Sequence, residues 1–535
     1  MQGWIQNLVI VPVLLPLVAG AAMIPFDERN RNVKGVIGFT ATAIVFFVSL
    51  FLIAVASADG AVATTVGNWP APFGIVLVLD HFSAMMLALA SLLGLAAQVF
   101  AIARWHTAGY HFHSLFQLLL AGVNGAFLTG DLFNLFVFFE MMLAASYGLL
   151  LHGSGPVRVK AGLHYVAINL AASFLFLIGV SLIYGATGTL NMADLASKIA
   201  GLSDRDRMLM EAGAAVLGTA FLVKAGMWPL GFWLPPAYAA ATPPSAAIFA
   251  LLTKVGIYVI LRLSLLVFGA DAGESTGFGR DLLYYGGMLT IAFGAIGVLA
   301  SQAIGRLAGY CVLVSSGTLL AAIGLGQASM LGGILFYTVV STITVSAFFL
   351  LIELVERGRD AGADVLAVTM EAYGDFDEDE PEEEVGTLVP GTMAVLGLCF
   401  IACGMLLSGL PPLPGFLAKF ALLHGLFSGA RATDLASYPP GALAYAAMLI
   451  LSGLAAMIAM NRIGIRTFWA SIEGTIPRVR LIEITPILVL IGATVLLSIK
   501  AGLAIGYMEA TAASLVDPSA YIRAVLPPAA GTEGG

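Results

Sequence analysis

Residues 130–151 read GDLFNLFVFFEMMLAASYGLLL, an apolar run with one carboxylate, Glu140, in its middle. A run of this length crosses a bilayer as a helix, since a crossing takes about 20 apolar residues. Glu140 lies nine residues from Asp131 and twelve from His152. At about 1.5 Å of rise per residue, it is roughly 14 and 18 Å from those ends, close to the midplane. An ionisable side chain at that depth costs a few kcal/mol, faces protein or water, and marks an ion path.

The rest of the chain repeats the pattern. It has 535 residues, 59% hydrophobic and 10% charged, against about 25% charged in soluble domains. The composition is that of an integral membrane protein, and the unbroken apolar runs fit helices rather than the alternating strands of a barrel. Apolar runs predict fourteen helices, near 7–25, 33–56, 76–103, 112–130, 132–152, 161–186, 211–232, 244–268, 282–302, 307–326, 331–356, 390–428 (broken), 441–468 and 482–507. The first run has no basic start and no clear cleavage site, so it reads as a helix and not a signal peptide. Cys311, Cys399 and Cys403 lie in apolar runs without metal-ligand spacing and read as core. No iron–sulfur, haem or dinucleotide-binding motif is present, so the chain predicts no cofactor, no resident metal and no catalytic residue of an enzyme.

Lys and Arg split unevenly between the loops. Thirteen flank the odd-to-even turns and seven the opposite side. The positive-inside bias then puts both termini outside the cytoplasm. Residues 360–384 hold eleven Asp or Glu and no Lys or Arg, enough to account for the whole net charge of −8. This loop reads as a solvated cytoplasmic linker.

Four more lysines complete the list of intramembrane charges. Lys224 in AFLVKAGMWPL, Lys254 in LLTKVGIYVILR and Lys419 in PGFLAKFALL are deep, and Lys500 is close enough to an end to snorkel. A carboxylate near a lysine favours the charged forms of both. Separating the pair lets desolvation release the proton. Glu140, Lys224, Lys254 and Lys419 therefore read as a charge relay, against the alternative of a static buried ion pair. Asp80 and Asp131 lie near helix ends, where they read as caps or partners of a cation. Asn169 and Tyr165, one turn apart, are further candidates to line the path. Two spans contain breaks, PLGFWLPP at 229–236 and PLPGFL at 412–417. Broken backbone at membrane depth is tolerated where protein or a hydrated cavity covers it. The breaks are five spans apart, and a tandem repeat of an odd number of helices is inverted. Spans 4–8 and 9–13 would then form inverted repeats.

At this point GDLFNLFVFFEMMLAASYGLLL, FLVKAGMWPLGFWLPPAYAAATPPSAAIFALLTKVGIYVILR (221–262) and SGLPPLPGFLAKFALL (408–423) resemble the proton-channel subunits shared by complex I and the Mrp-type cation/proton antiporters. The D-L-F-N-L-F-V-F-F-E run, L-P-P-A-Y and the ending soon after span 14 resemble the D subunits of the Mrp-type antiporters more than complex I subunits. The resemblance implies an all-α polytopic fold of about fourteen helices, with inverted five-helix repeats and broken helices 7 and 12. It implies segments at 1–110 (helices 1–3), 111–270 (first repeat), 280–470 (second repeat, with the acidic loop 357–388), 480–510 (helix 14) and 511–535 (tail). It also implies that Glu140, Lys224, Lys254 and Lys419 line the proton path. The expected partners are other subunits of a hetero-oligomeric antiporter, protons, Na⁺ or K⁺ and the lipid bilayer, with no nucleic acid. The expected function is proton-driven Na⁺ or K⁺ exchange by a secondary transporter subunit. The alternative is a proton-pumping subunit of a complex I-like enzyme or membrane hydrogenase.

The sequence departs from that family where its tenth and eleventh helices often carry histidine or lysine. Here Ser315, Ser341, Thr342 and Thr344 stand in those stretches. Hydroxyls pass protons through hydrogen bonds but hold no charge near neutral pH. Ser315, Ser341 and Thr344, with His152 and His164 near a loop, make up a possible secondary pathway. Deleting residues 371–384 is expected to leave exchange nearly intact, measured as the half-saturating cation concentration in vesicles. A large loss of cation affinity would instead give the acidic loop a transport role.

Overall fold

The computed structural model describes residues 2–27, 30–357, 391–428, 440–468 and 479–526. The acidic loop and the basic residues Arg29, Arg359, Arg431 and Arg478 lie outside the described residues.

In chain order come α1 (Gln2–Met23), α2 (Arg31–Asp59), the hairpin strands β1 (Val62–Thr65) and β2 (Val76–Leu79), α3 (His81–Ala103), α4 (Phe112–Leu128), α5 (Leu132–Leu150), α6 (Pro156–Thr187) and α7 (Met192–Lys198). Then follow α8 (Asp204–Ala225), α9 (Leu234–Ala240), α10 (Pro243–Leu266), α11 (Arg280–Ala300), α12 (Ile304–Leu325) and α13 (Leu331–Glu356). Last are α14 (Gly391–Ser408), α15 (Pro414–Phe427), α16 (Ala442–Phe468), α17 (Leu481–Ile499), α18 (Ala501–Val516) and α19 (Ser519–Val525). Twelve of the described helices are long and apolar enough to cross a membrane, and α1, α4, α15 and α18 are shorter apolar helices. Each of the fourteen expected spans has its helix. Helices α10, α12 and α13 are almost wholly enclosed, whereas only a third of the α2 span is buried. The lysine-bearing α10 therefore runs through the core.

The differences from the sequence reading have local causes. The span expected at 76–103 starts five residues later. Its first four residues pair as β2 with β1, antiparallel, Val62 opposite Leu79 and Thr65 opposite Val76. Asp80 sets the helix start. Its Oδ1 accepts from Ser83 N at 2.9 Å, and its own N donates to Ser83 Oγ at 2.8 Å, a reciprocal cap. The span expected at 211–232 runs instead from Asp204 to Ala225, where Gly226 at φ 74° turns the chain. The PLGFWLPP break thus falls after α8 rather than within it. The span expected at 482–507 divides at Lys500 into α17 and α18. The expected tail from 511 is partly helical. Met508, Thr511, Ala512 and Leu515 bury one face of α18, and Tyr521 and Val525 are buried on α19.

The charged ends are tied together. At one end, Arg104 pairs with Glu353 at 3.5 Å, Arg357 with Glu483 at 2.9 Å, and Arg158 Nε donates to Ala240 O at 2.8 Å. At the other, Arg262 forms a buried two-pronged pair with Asp80 through Oδ1 and Oδ2. Arg262 Nη2 also donates to Tyr258 OH at 2.9 Å, and the guanidinium lies 5.3 Å from the ring centres of Phe82, Tyr258 and Tyr521. This pair joins α3, α10 and α19 beside the hairpin.

Asp80→Ala strands the buried Arg262 charge and removes the α3 cap. The expected cost is about 3–5 kcal/mol, read as a lower melting temperature of the solubilised protein. Asp80→Asn keeps the cap and loses the charge, so its loss is expected to be smaller. Equal losses would show that the cap contributes nothing.

Candidate functional site: a buried lysine axis

The axis starts on α5. Asp131 caps this helix, its Oδ1 accepting from Phe133 N at 2.8 Å and Asn134 N at 2.9 Å. That fixes Glu140 midway along it. Glu140 is half-buried, and its Oε1 is enclosed with no hydrogen-bond partner. The Lys224 ammonium and the Tyr147 hydroxyl lie within its electrostatic reach. Among the described residues no ion pair of 4.0 Å or less closes Glu140 onto a lysine. Carboxylate and ammonium are farther apart than an ion pair.

Lys224, next to last in α8, is 6% exposed. Its Nζ donates to Asn169 Oδ1 at 3.0 Å and Asn169 O at 3.4 Å. Asn169 Nδ2 donates to Tyr165 O at 2.8 Å, and Tyr165 OH is 2.8 Å from Ser146 Oγ on α5. Tyr165 and Asn169, weak candidates in the sequence, thus join α5, α6 and α8. Gly256 brings α10 against this site. A Cβ there would meet Phe221 O at 3.1 Å, Ala225 N at 3.2 Å and Lys224 Cβ at 3.3 Å, so only glycine leaves the approach unstrained.

Two residues before Gly256, Lys254 is 1% exposed and its Nζ donates to Ser315 Oγ on α12 at 2.5 Å. The serine at the departure from the family pattern is therefore the lysine's direct partner. Ser315 also lines a cavity with Ser341 and Thr344 of α13, Lys419 of α15 and Ser452 of α16. Its volume of about 40 Å³ exceeds the ~10–15 Å³ that one water needs. Lys419 Nζ donates to Ser408 O, the last carbonyl of α14, at 2.8 Å. A cation at a helix C-terminus completes an otherwise open carbonyl. Gly409, at φ 79°, ends α14 there.

His152 and His164 lie elsewhere. His152 is buried near a turn, its Nε2 2.9 Å from Trp105 O. His164 is exposed on α6, its Nδ1 2.9 Å from Lys160 O. These two bonds run to backbone carbonyls outside the lysine axis. Among the described residues no group of three or more His, Cys, Asp or Glu could hold a metal ion.

Three polar or sulfur-bearing cavity residues, Tyr337, Cys311 and Ser452, were not read as part of the path in the sequence. Tyr337 gave no signal in its apolar run. Cys311, read as core, is buried but also lines the cavity. Ser452 precedes Gly453, where a Cβ would lie 2.8 Å from Lys419 Nζ. A serine–glycine pair inside an apolar helix was the available signal. Chemically, the arrangement sets three ammonium groups on neutral oxygens, with hydroxyls and a water-sized space between the last two.

Asn169→Leu removes the closer acceptor of the buried Lys224 ammonium and leaves only the backbone carbonyl at 3.4 Å. A destabilisation of about 3 kcal/mol is expected. The double variant Asn169→Leu/Lys224→Met is expected to recover most of it in thermal denaturation of the solubilised protein. Additive losses would mean that the bond contributes nothing.

The chain is also similar over its length to known membrane proteins. Residues 129–436 match the family model described as "NADH:quinone oxidoreductase/Mrp antiporter, TM". A Rhizobium meliloti protein, named as the probable D subunit of a K⁺/H⁺ antiporter, is 69% identical over all of both chains. The D subunit of the Na⁺/H⁺ antiporter of Alkalihalophilus pseudofirmus is 35% identical over 97% of this chain and 99% of its own. A chain in the structure of the Mrp complex from Dietzia sp. DQ12-45-1b superposes with a TM-score of 0.82 at 26% identity, covering 98% of this chain and 100% of that one.

Proposed function

This chain belongs to the NADH:quinone oxidoreductase/Mrp antiporter membrane family, and we propose from that premise that it is the D subunit of a multisubunit monovalent cation/proton antiporter. The single observation that carries the reading is the set of three lysines, two buried and one half-buried, held on neutral oxygens beside a separated carboxylate. K⁺ and Na⁺ are the candidate cations, because the relatives named above are called K⁺/H⁺ and Na⁺/H⁺ antiporter subunits. The chain is a transporter subunit of a larger complex and crosses the membrane many times. The thirteen-to-seven bias of basic residues supports extracytoplasmic termini. The breaks after α8 and α14, each at a glycine of positive φ with a lysine nearby, support two inverted five-helix units.

The mechanism follows from desolvation and charge. When Glu140 approaches Lys224, the carboxylate favours the protonated lysine. When they part, that support is lost and the proton can move on. The proton then passes to Lys254. Ser315 accepts from Lys254 Nζ, and its hydroxyl can donate onward into the cavity. Ser341, Thr344 and water in that space carry it to Lys419. Hydroxyls thus act as neutral stations where a charged side chain would be a second proton store.

The test uses everted vesicles containing all subunits of the complex. Na⁺ or K⁺ is expected to collapse a preformed pH gradient with the wild-type chain. Glu140→Gln, at matched complex levels, is expected to lose most of that response, as is Lys224→Ala. An active Glu140→Gln complex removes Glu140 from the cycle. No cation response in an assembled wild-type complex sinks the antiport reading.

A further inference from the structure

Buried polar groups also gather among α1 to α4, away from the lysine axis. On α4, His113, Gln117 and Asn124 share one face at helical spacing. Gly38 and Thr42 on α2 and Gln98 on α3 face them. Gln98 and Gln117 are 0% exposed and Asn124 is 1% exposed. Gln117 Nε2 donates to Gly38 O at 2.9 Å and Thr42 Oγ1 at 2.8 Å. Asn124 Nδ2 donates to Pro12 O at 2.7 Å. Proline at position 16 has no N–H to offer that carbonyl, so the asparagine supplies the bond.

These contacts use only amide donors. Gln117 Oε1, Asn124 Oδ1, Ser114 Oγ and both ends of the Gln98 amide are enclosed without a partner. Buried polar atoms in native folds are bonded to protein or to water. Gly38 shapes the space between the two glutamines. A Cβ there would stand 3.5 Å from Gln117 Nε2 and 3.7 and 3.8 Å from the two ends of the Gln98 amide. At the end of the column, His106 Nδ1 is 3.3 Å from His113 Nε2, both rings buried. Arg31 and His152 act on His106, and Lys34 is buried beside Gly35, whose Cβ position is 3.4 Å from His113 Nε2.

We propose that the polar faces of α2, α3 and α4 enclose a column of bound water that carries protons inward from the His106–His113 pair toward Asn124, separate from the lysine axis. From His113 to Asn124 the helix rises about 16 Å, roughly half the hydrocarbon thickness. The unpaired groups select water over a bare cation. Gln98 Nε2 needs an acceptor, while Gln98 Oε1, Gln117 Oε1 and Asn124 Oδ1 need donors. Water is both, and a metal ion cannot serve the amide N–H. Waters linked in this way pass a proton along their hydrogen bonds.

The test uses the intact complex in membranes. Hydroxyl radicals made by X-ray radiolysis oxidise side chains beside bound water, buried ones included. Leu120 is 2% exposed and packs with Thr42 around Gly94, and Leu350 on α13 is a 0% exposed control. Leu120 is expected to oxidise severalfold faster than Leu350, and to lose that excess in Gly38→Ala, whose methyl takes the space at the amides. Gly38→Ala and Gln98→Leu are both expected to slow exchange severalfold at wild-type assembly. Equal oxidation of Leu120 and Leu350 in the wild type overturns the column, whether or not the variants assemble. Unchanged exchange in both variants overturns its proton-carrying role. The exchange readout rests on the antiport reading and the labelling does not, so the two failures are distinguishable.

Discussion

A charge moved from water to the membrane interior must be given oxygen, or it will not stay charged. The structure is arranged around that constraint three times. Lys224 rests on the side chain and carbonyl of Asn169, Lys254 on the Ser315 hydroxyl, and Lys419 on the Ser408 carbonyl. No carboxylate sits within ion-pair distance of these three ammonium groups among the described residues. Neutral oxygens hold a proton loosely enough to let it go, whereas a tight buried ion pair would lock it. The contrast is the Asp80–Arg262 pair, closed on both oxygens and packed by three aromatic rings. That pair fastens helices, whereas the three lysines are held by neutral oxygens alone.

The same constraint explains the broken helices. A helix that stops inside the molecule leaves carbonyls without N–H partners. After α14 one of them, Ser408 O, is taken by Lys419. The break provides the acceptor for a half-buried lysine, and the lysine completes the break. Glycine is required at such positions for geometric reasons. Gly226 and Gly409 have positive φ, and Gly256 lets α8 and α10 touch.

Much of the fold was legible because bilayer thickness imposes long apolar runs, which are visible in one dimension. Misread boundaries share one cause, namely that hydropathy does not see backbone punctuation. VLVL at 76–79 is as apolar as the helix it precedes, and only the Asp80–Ser83 cap separates strand from helix. Gly226 ended α8 several residues before its apolar signal did. The candidate charges were legible for the opposite reason. A lysine or glutamate in an apolar run has no trivial explanation, so Lys224, Lys254, Lys419 and Glu140 stood out individually. Ser315, Ser341 and Thr344 stood out only against a family pattern, because a hydroxyl is ordinary in a helix. Ser452 and Tyr337 had no such contrast.

The sequence by itself determined that this chain lives in a membrane, where its long apolar helices run, and which charges lie inside them. Each of these is fixed by the energy of moving single residues out of water. Only the tertiary structure decided which oxygen each ammonium meets, that Ser315 bonds directly to Lys254, that Glu140 stands apart from Lys224, and that Gln98 and Gln117 converge beside Gly38. Those facts depend on distances between helices, set by side-chain volume and glycine contacts that no stretch of the chain contains alone.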